Sequence, residues 1–147
     1  MDDLELRRAS GDQISIGDLY AALRLRAEVF VIEQDCNYLD PDGGDLDSAT
    51  THLWLRTPSG VVASYLRILG EPGGGHRIGR VVTTPSWRGR HLAARLLETA
   101  LELTEDPVVL HAQSHLVDMY SRHGFVVDGP EYLEDEIPHT PMRLPPR

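Results

Sequence analysis

The chain predicts an α+β fold: one mixed, mostly antiparallel sheet with helices on both faces. Three apolar runs separated by turn residues, His52 to Arg56, Val61 to Leu69 and a stretch beginning near Arg77, read as a meander of antiparallel strands. A basic loop containing Gly89 and an amphipathic helix follow the third strand, and a strand–helix pair with short closing strands completes the order. At 147 residues this is one domain, 1–147, long enough to bury roughly 70% of its unfolded surface.

Each element has a local reason. Leu4 to Arg8 reads as the first strand, and Ile16 to about Gln34 as one helix that buries Leu19, Leu23, Ala27 and Phe30. Residues 35–50 are rich in Asp and Gly and read as a solvated loop. Their Asp40-Pro41-Asp42-Gly43-Gly44-Asp45 string fails the EF-hand pattern, with Gly44 at the third ligand position and Thr51 where the bidentate Glu belongs. Thr57-Pro58-Ser59-Gly60 turns the first hairpin, and Gly70 to Gly75 turns the chain back toward Arg77. His91 to Leu101 is helical by the spacing of Leu92, Leu96, Leu97, Ala100 and Leu101. Val108 to Ala112 is the next strand, and a helix with Leu116, Met119 and Tyr120 on one face then stops at Gly124. Phe125 to Val127 and roughly Thr140 to Arg143 close the sheet.

The chain has 14 Lys and Arg against 23 Asp and Glu, a net charge of −9, which repels a phosphate backbone and argues against nucleic acid. Its basic residues concentrate in 77–95, while the acidic remainder suits both a cationic amine partner and solubility. A single cysteine, Cys36, forbids an internal disulfide and reads as a buried thiol in a reducing compartment. The N-terminus is acidic without an apolar core, and no run of 18 apolar residues occurs, so a cytoplasmic protein with no signal peptide and no membrane partner is expected.

Chemistry concentrates in two stretches. The first is the strand running into Arg88-Gly89-Arg90-His91-Leu92-Ala93, where unpaired amides and the dipole of the following helix attract an anion. Neither the dinucleotide string G-x-G-x-x-G nor the P-loop string occurs. The hexapeptide also spells an ordinary strand-to-helix turn with solvated arginines. The second is Gln113 through Tyr120 to Gly124-Phe125, in which Tyr120 taken alone reads as a core aromatic.

Together these stretches resemble the GNAT N-acetyltransferases, which carry a Q/R-x-x-G-x-G/A acyl-CoA loop and a Tyr-x-x-x-Gly-Phe helix with an Asn or relative seven residues before the Tyr. Arg88 and Ala93 fit the loop, His91 departs from it, and Gln113 takes the Asn position. Leu23 to Tyr38, Asp45, Thr51-His52-Leu53 and the tail from Tyr132 to His139 through Met142-Arg143 resemble the ElaA-like branch, so the resemblance covers roughly residues 4 to 144. It implies the GNAT fold and acetyl-CoA as cosubstrate. Val81, Val82 and Thr83 would offer backbone groups to the pantetheine, Arg88, Gly89, Arg90, His91, Leu92 and Ala93 would hold the pyrophosphate, and Gln113 would line the thioester end. Tyr120 would protonate the departing thiolate.

A lysine-like amine costs about 4 kcal/mol to deprotonate near neutral pH, so a base is worth having. Glu33 and His52 are the candidates, with His139 third; their alternatives are a capping carboxylate for Glu33 and a hydrogen-bonded structural histidine for His52. His76, His111, His115 and His123 have no ligand spacing, and no metal is expected. The partner is a small-molecule or peptide amine, and a homodimer is compatible with the sequence. Two other readings share these residues: a non-catalytic acyl-CoA sensor, which His91 would permit, and an acyl-homoserine-lactone-synthase-like acyltransferase, which Arg26 to Phe30 and Asp45 to His52 resemble distantly.

Overall fold

The computed structural model describes residues 3–147. Eight strands form one open sheet: β1 (Glu5–Ser10), β2 (Thr51–Arg56), β3 (Val62–Gly70), β4 (His76–Thr83), β5 (Val108–Gln113), β6 (Val126–Val127), β7 (Tyr132–Glu134) and β8 (Ile137–Leu144). The order is β1-β2-β3-β4-β5-β8-β6, with β7 paired to β8. Every pairing is antiparallel except β4 with β5. The meander, the mixed sheet and the strand–loop–helix order match the expectation. The hairpin of β7 with the start of β8 does not, because Asp135 and Glu136 turn it at φ of 51° and 66° without the Asn-Gly or Asp-Gly spelling that flags such turns.

Two helices pack on opposite faces. α1 (Ile16–Arg26) starts at Ser15, whose hydroxyl accepts from the Asp18 N–H at 3.1 Å, and runs on as a π turn, Ala27–Glu33. The wider turn carries β-branched Val29, Val31 and Ile32, and its bonds skip a residue, as when the Gln34 N–H donates to the Val29 carbonyl at 3.0 Å. α2 (Leu92–Leu103) buries Leu92, Leu96, Leu97 and Ala100, as its spacing predicts.

Period-two alternation in the central strands feeds both cores. Leu53, Leu55, Leu66 and Ile68 face α2, while Trp54 and Tyr65 face α1. The buried face of α1 and its π turn is Ala22, Leu25, Arg26 and Val29 rather than Leu19, Leu23, Ala27 and Phe30. The expectation is corrected by one residue, since Arg26 is fully buried and no hydropathy pattern chooses an arginine for a core.

Arg26 is buried because residues 35–50 are not the solvated loop expected of them. Asp40 and Asp45 turn inward and are 3% and 5% exposed. Arg26 pairs with Asp40 at 2.8 Å and with both oxygens of Asp45 at 2.7 and 3.2 Å; Arg67 reaches Asp45 at 3.0 Å and also holds Asp42. The carboxylates that suggested calcium are thus neutralised by arginines, the condition under which buried charge is tolerated.

Candidate functional site

The site begins where β4 leaves β5. Their parallel pairing lasts two positions, His76 with Val108 and Arg77 with Val109. Just beyond, β4 places both Arg80 and Val81 opposite Leu66, between the Gly79–Arg67 and Val82–Tyr65 pairs. Such a bulge bends and twists its strand away from its neighbour. Arg80 sits at φ 52°, a conformation costly for an L-residue, and is held there by Asp40: Nε lies 2.8 Å from Oδ1, and Nη2 donates to the Asp40 carbonyl at 3.0 Å. The buried aspartates therefore shape the cleft, and Arg80 is not part of a basic surface.

Past the bulge, the Thr84 N–H bonds to the Ala63 carbonyl on β3 at 2.9 Å. Alternation then turns the amides of Val81 and Thr83 the other way, toward β5, which has diverged. One wall of the cleft carries backbone donors with no strand to pair them.

The loop after β4 makes one 3₁₀ turn, Pro85–Trp87, and then Arg88, Gly89, Arg90 and His91 lead into α2. Gly89 adopts φ 80°, and a Cβ there would meet no atom within 4 Å, so its glycine serves backbone conformation. His91, which stands where the resembled loop has Gly, caps α2 at φ 57° and ψ 32°, a left-handed geometry that histidine tolerates better than most residues. Its side chain makes no capping bond and the first turn has no acidic residue, so the leading amides of α2, Leu92 and Ala93 among them, remain available to an anion. The Leu92 side chain belongs to the core, and Arg90 lies over the Trp87 ring at 4.4 Å.

Tyr120 lies on α3 (Val117–Ser121), which follows a 3₁₀ turn after β5. Its helix ends in a Schellman motif: Gly124 at φ 95° donates to Ser121 at 3.0 Å and Phe125 donates to Tyr120 at 3.3 Å, with the two rings edge to face at 6.3 Å. Cap chemistry alone thus explains the Tyr-x-x-x-Gly-Phe spacing. What it leaves unexplained is the hydroxyl, which has no hydrogen-bond partner among the described residues; burial raises its pKa and keeps it protonated.

The two leading base candidates have other partners. His52 is fully buried: Nε2 donates to the Asp45 carbonyl at 2.8 Å, so Nδ1 accepts from the Tyr65 hydroxyl at 2.6 Å and no nitrogen is left to take a proton. Burial also lowers its pKa, which marks a structural histidine. Glu33 is 43% exposed and receives both terminal nitrogens of Arg88 at 2.7 Å; that pairing lowers its pKa, the wrong direction for a base.

Gln113 is tied to a residue that sequence reasoning passed over. Gln34 and Gln113 exchange two amide bonds, at 3.3 and 3.1 Å, across the end of β5. His139, opposite Gln113 on β8, stands on the same sheet face. Its Nδ1 donates to the Ile137 carbonyl at 2.8 Å, leaving Nε2 open, 3.7 Å from Glu134. Tyr132 stacks on His139 at 5.8 Å and hydrogen-bonds His111. The pairing of β5 with β8 sets Gln113 beside His139, and the unforeseen β7 hairpin adds Tyr132 and Glu134 to them. Cys36 is buried with a raised pKa, consistent with an inert thiol. Among the described residues no group of three His, Cys, Asp or Glu is placed to hold a metal, and no helix is long and apolar enough to cross a membrane.

Comparison with known proteins points one way. Residues 29–145 match the family described as an acetyltransferase (GNAT) domain. A UPF0039 protein of Mycobacterium tuberculosis is 46% identical over 144 residues, covering 95% of this chain and 92% of that protein. The crystal structure of Escherichia coli ElaA superposes with a TM-score of 0.90 at 34% identity, covering 97% of this chain and 99% of ElaA. An acyl-CoA N-acyltransferase from Pseudomonas aeruginosa superposes at 0.89 with 41% identity, covering 97% and 100%.

Proposed function

The chain belongs to the GNAT acetyltransferase family, and on that premise we propose that it moves an acetyl group from acetyl-CoA directly to a small-molecule or peptide amine. The observation that carries this reading is the divergence of β4 from β5 beside the uncapped N-terminus of α2. A slot with free backbone donors on one wall and an anion-attracting helix end at its mouth suits a thioester joined to a diphosphate.

In this reading the leading amides of α2, with Arg88 and Arg90, hold the diphosphate, and the Val81 and Thr83 amides orient and polarise the thioester carbonyl. The amine nitrogen forms a bond to the carbonyl carbon, the C–S bond breaks, and the thiolate takes the proton of Tyr120, whose burial keeps it protonated. His139, with Nε2 open beside Gln113, is the group left to receive the amine's proton.

The test has two parts. Acetyl-CoA at a hundredfold excess over its dissociation constant should stabilise the protein by about 2.7 kcal/mol, and NAD and ATP far less. Thiol release from acetyl-CoA should then appear with some member of a panel of alkyl amines, polyamines, amino acids and peptide N-termini. Stabilisation without thiol release would mark an acyl-CoA sensor, and the absence of stabilisation would overturn the reading.

A further inference from the structure

Glu33 ends the π turn and Gln34 caps it, and these neighbours reach opposite walls of the cleft. Gln34 holds Gln113 at the end of β5, while Glu33 holds Arg88 in the loop after β4. Among the described residues the Arg88 guanidinium has no partner but Glu33. Both side chains are more than two-fifths exposed, so neither is locked by packing. The Arg88 fork stands one turn of chain before α2, whose leading amides have no side-chain cap. An anion drawn to those amides meets Arg88 already engaged by a carboxylate.

We propose that Glu33 is a positioning residue that competes with the cofactor's diphosphate for Arg88: it keeps the guanidinium extended across the mouth of the cleft and yields it as acyl-CoA enters. A diphosphate supplies more charge and more acceptor oxygens to the fork than one carboxylate does, so the exchange runs toward the cofactor. Acyl-CoA binding then releases a carboxylate beside the cleft, where an ammonium group of the acceptor would meet it. The acceptor would therefore bind better after the cofactor than before it. This rests on residues 88–93 being the diphosphate loop.

The experiment is isothermal titration of coenzyme A into wild type, Glu33→Gln, Arg88→Gln and the double variant at low ionic strength, with Asp35→Asn as a charge control. Glu33→Gln should bind coenzyme A about two- to fivefold more tightly, the range set by an exposed ion pair. Arg88→Gln should bind more weakly, and in its background Glu33→Gln should add nothing. Asp35→Asn should change little. A merely structural role for Glu33 predicts the opposite sign, since loosening the cleft weakens binding. Unchanged or weaker binding in Glu33→Gln, or a gain that persists without Arg88, overturns the proposal. If wild type binds no coenzyme A, the diphosphate reading fails first, and that is read before any variant is compared.

Discussion

Replacing Tyr120 with Phe removes one oxygen and little else. The ring is 5% exposed, keeps its edge-to-face contact with Phe125, and leaves untouched the backbone carbonyl that closes the helix cap. Because the hydroxyl has no hydrogen-bond partner among the described residues, stability should change by less than about 1 kcal/mol. Turnover should nonetheless fall roughly 10² to 10⁴-fold, the usual contribution of a positioned acid, or about 2.7–5.4 kcal/mol of barrier at 1.36 kcal/mol per tenfold. Acetyl-CoA affinity should be nearly unchanged. The raised pKa adds a condition: an acid is lost only above its pKa, so wild-type turnover should show no alkaline decline from Tyr120 below the ordinary tyrosine value of 10.0. The assay is thiol release at saturating acetyl-CoA across pH, with urea unfolding of both proteins in parallel. Full activity in the Phe variant refutes the acid role, and a loss of several kcal/mol of stability refutes the claim that the hydroxyl is uncommitted.

Asp45→Asn leaves Arg26 and Arg67, 0% and 3% exposed, without their shared carboxylate, and should cost about 3–5 kcal/mol. At roughly 2–4 °C per kcal/mol for a domain near this size, the melting temperature should drop about 6–20 °C, and a drop of a degree or two would show that the guanidiniums regain water. His52 folds neutral with a lowered pKa, so the stability it confers is present above the unfolded value of 6.5 and is lost as pH falls below it toward the folded value. Urea midpoints should therefore decline from pH 6.5 downward, and a flat profile would contradict the buried neutral histidine. His91, at φ 57°, should be replaceable by Gly with no loss, whereas His91→Val should cost about 1–2 kcal/mol; calorimetry showing equal melting points for the two variants would mean the cap relaxes out of the left-handed region.

Much of the fold can be read from the chain because local rules suffice for it. Alternation in residues 51–70, the Leu92-Leu96-Leu97-Ala100 face and the Gly124 stop each depend on neighbours within a few residues, and the β2-β3-β4 order follows from short connections. The basic loop before α2 is legible for the same reason, since a helix N-terminus after a strand is a local feature. What the tertiary structure alone decides is where charge goes. Arg26, Asp40, Asp45 and Arg67 come from three separate segments, and hydropathy places each on the surface until the others are brought within 3 Å. The same holds for both base candidates: His52 loses its free nitrogen to Tyr65 and to the Asp45 carbonyl, and Glu33 meets Arg88 from 55 residues away. A side chain's hydrophobicity is its own, so pattern reveals the core. Its ionisation and hydrogen bonding belong to partners distant in sequence, and only folding supplies those.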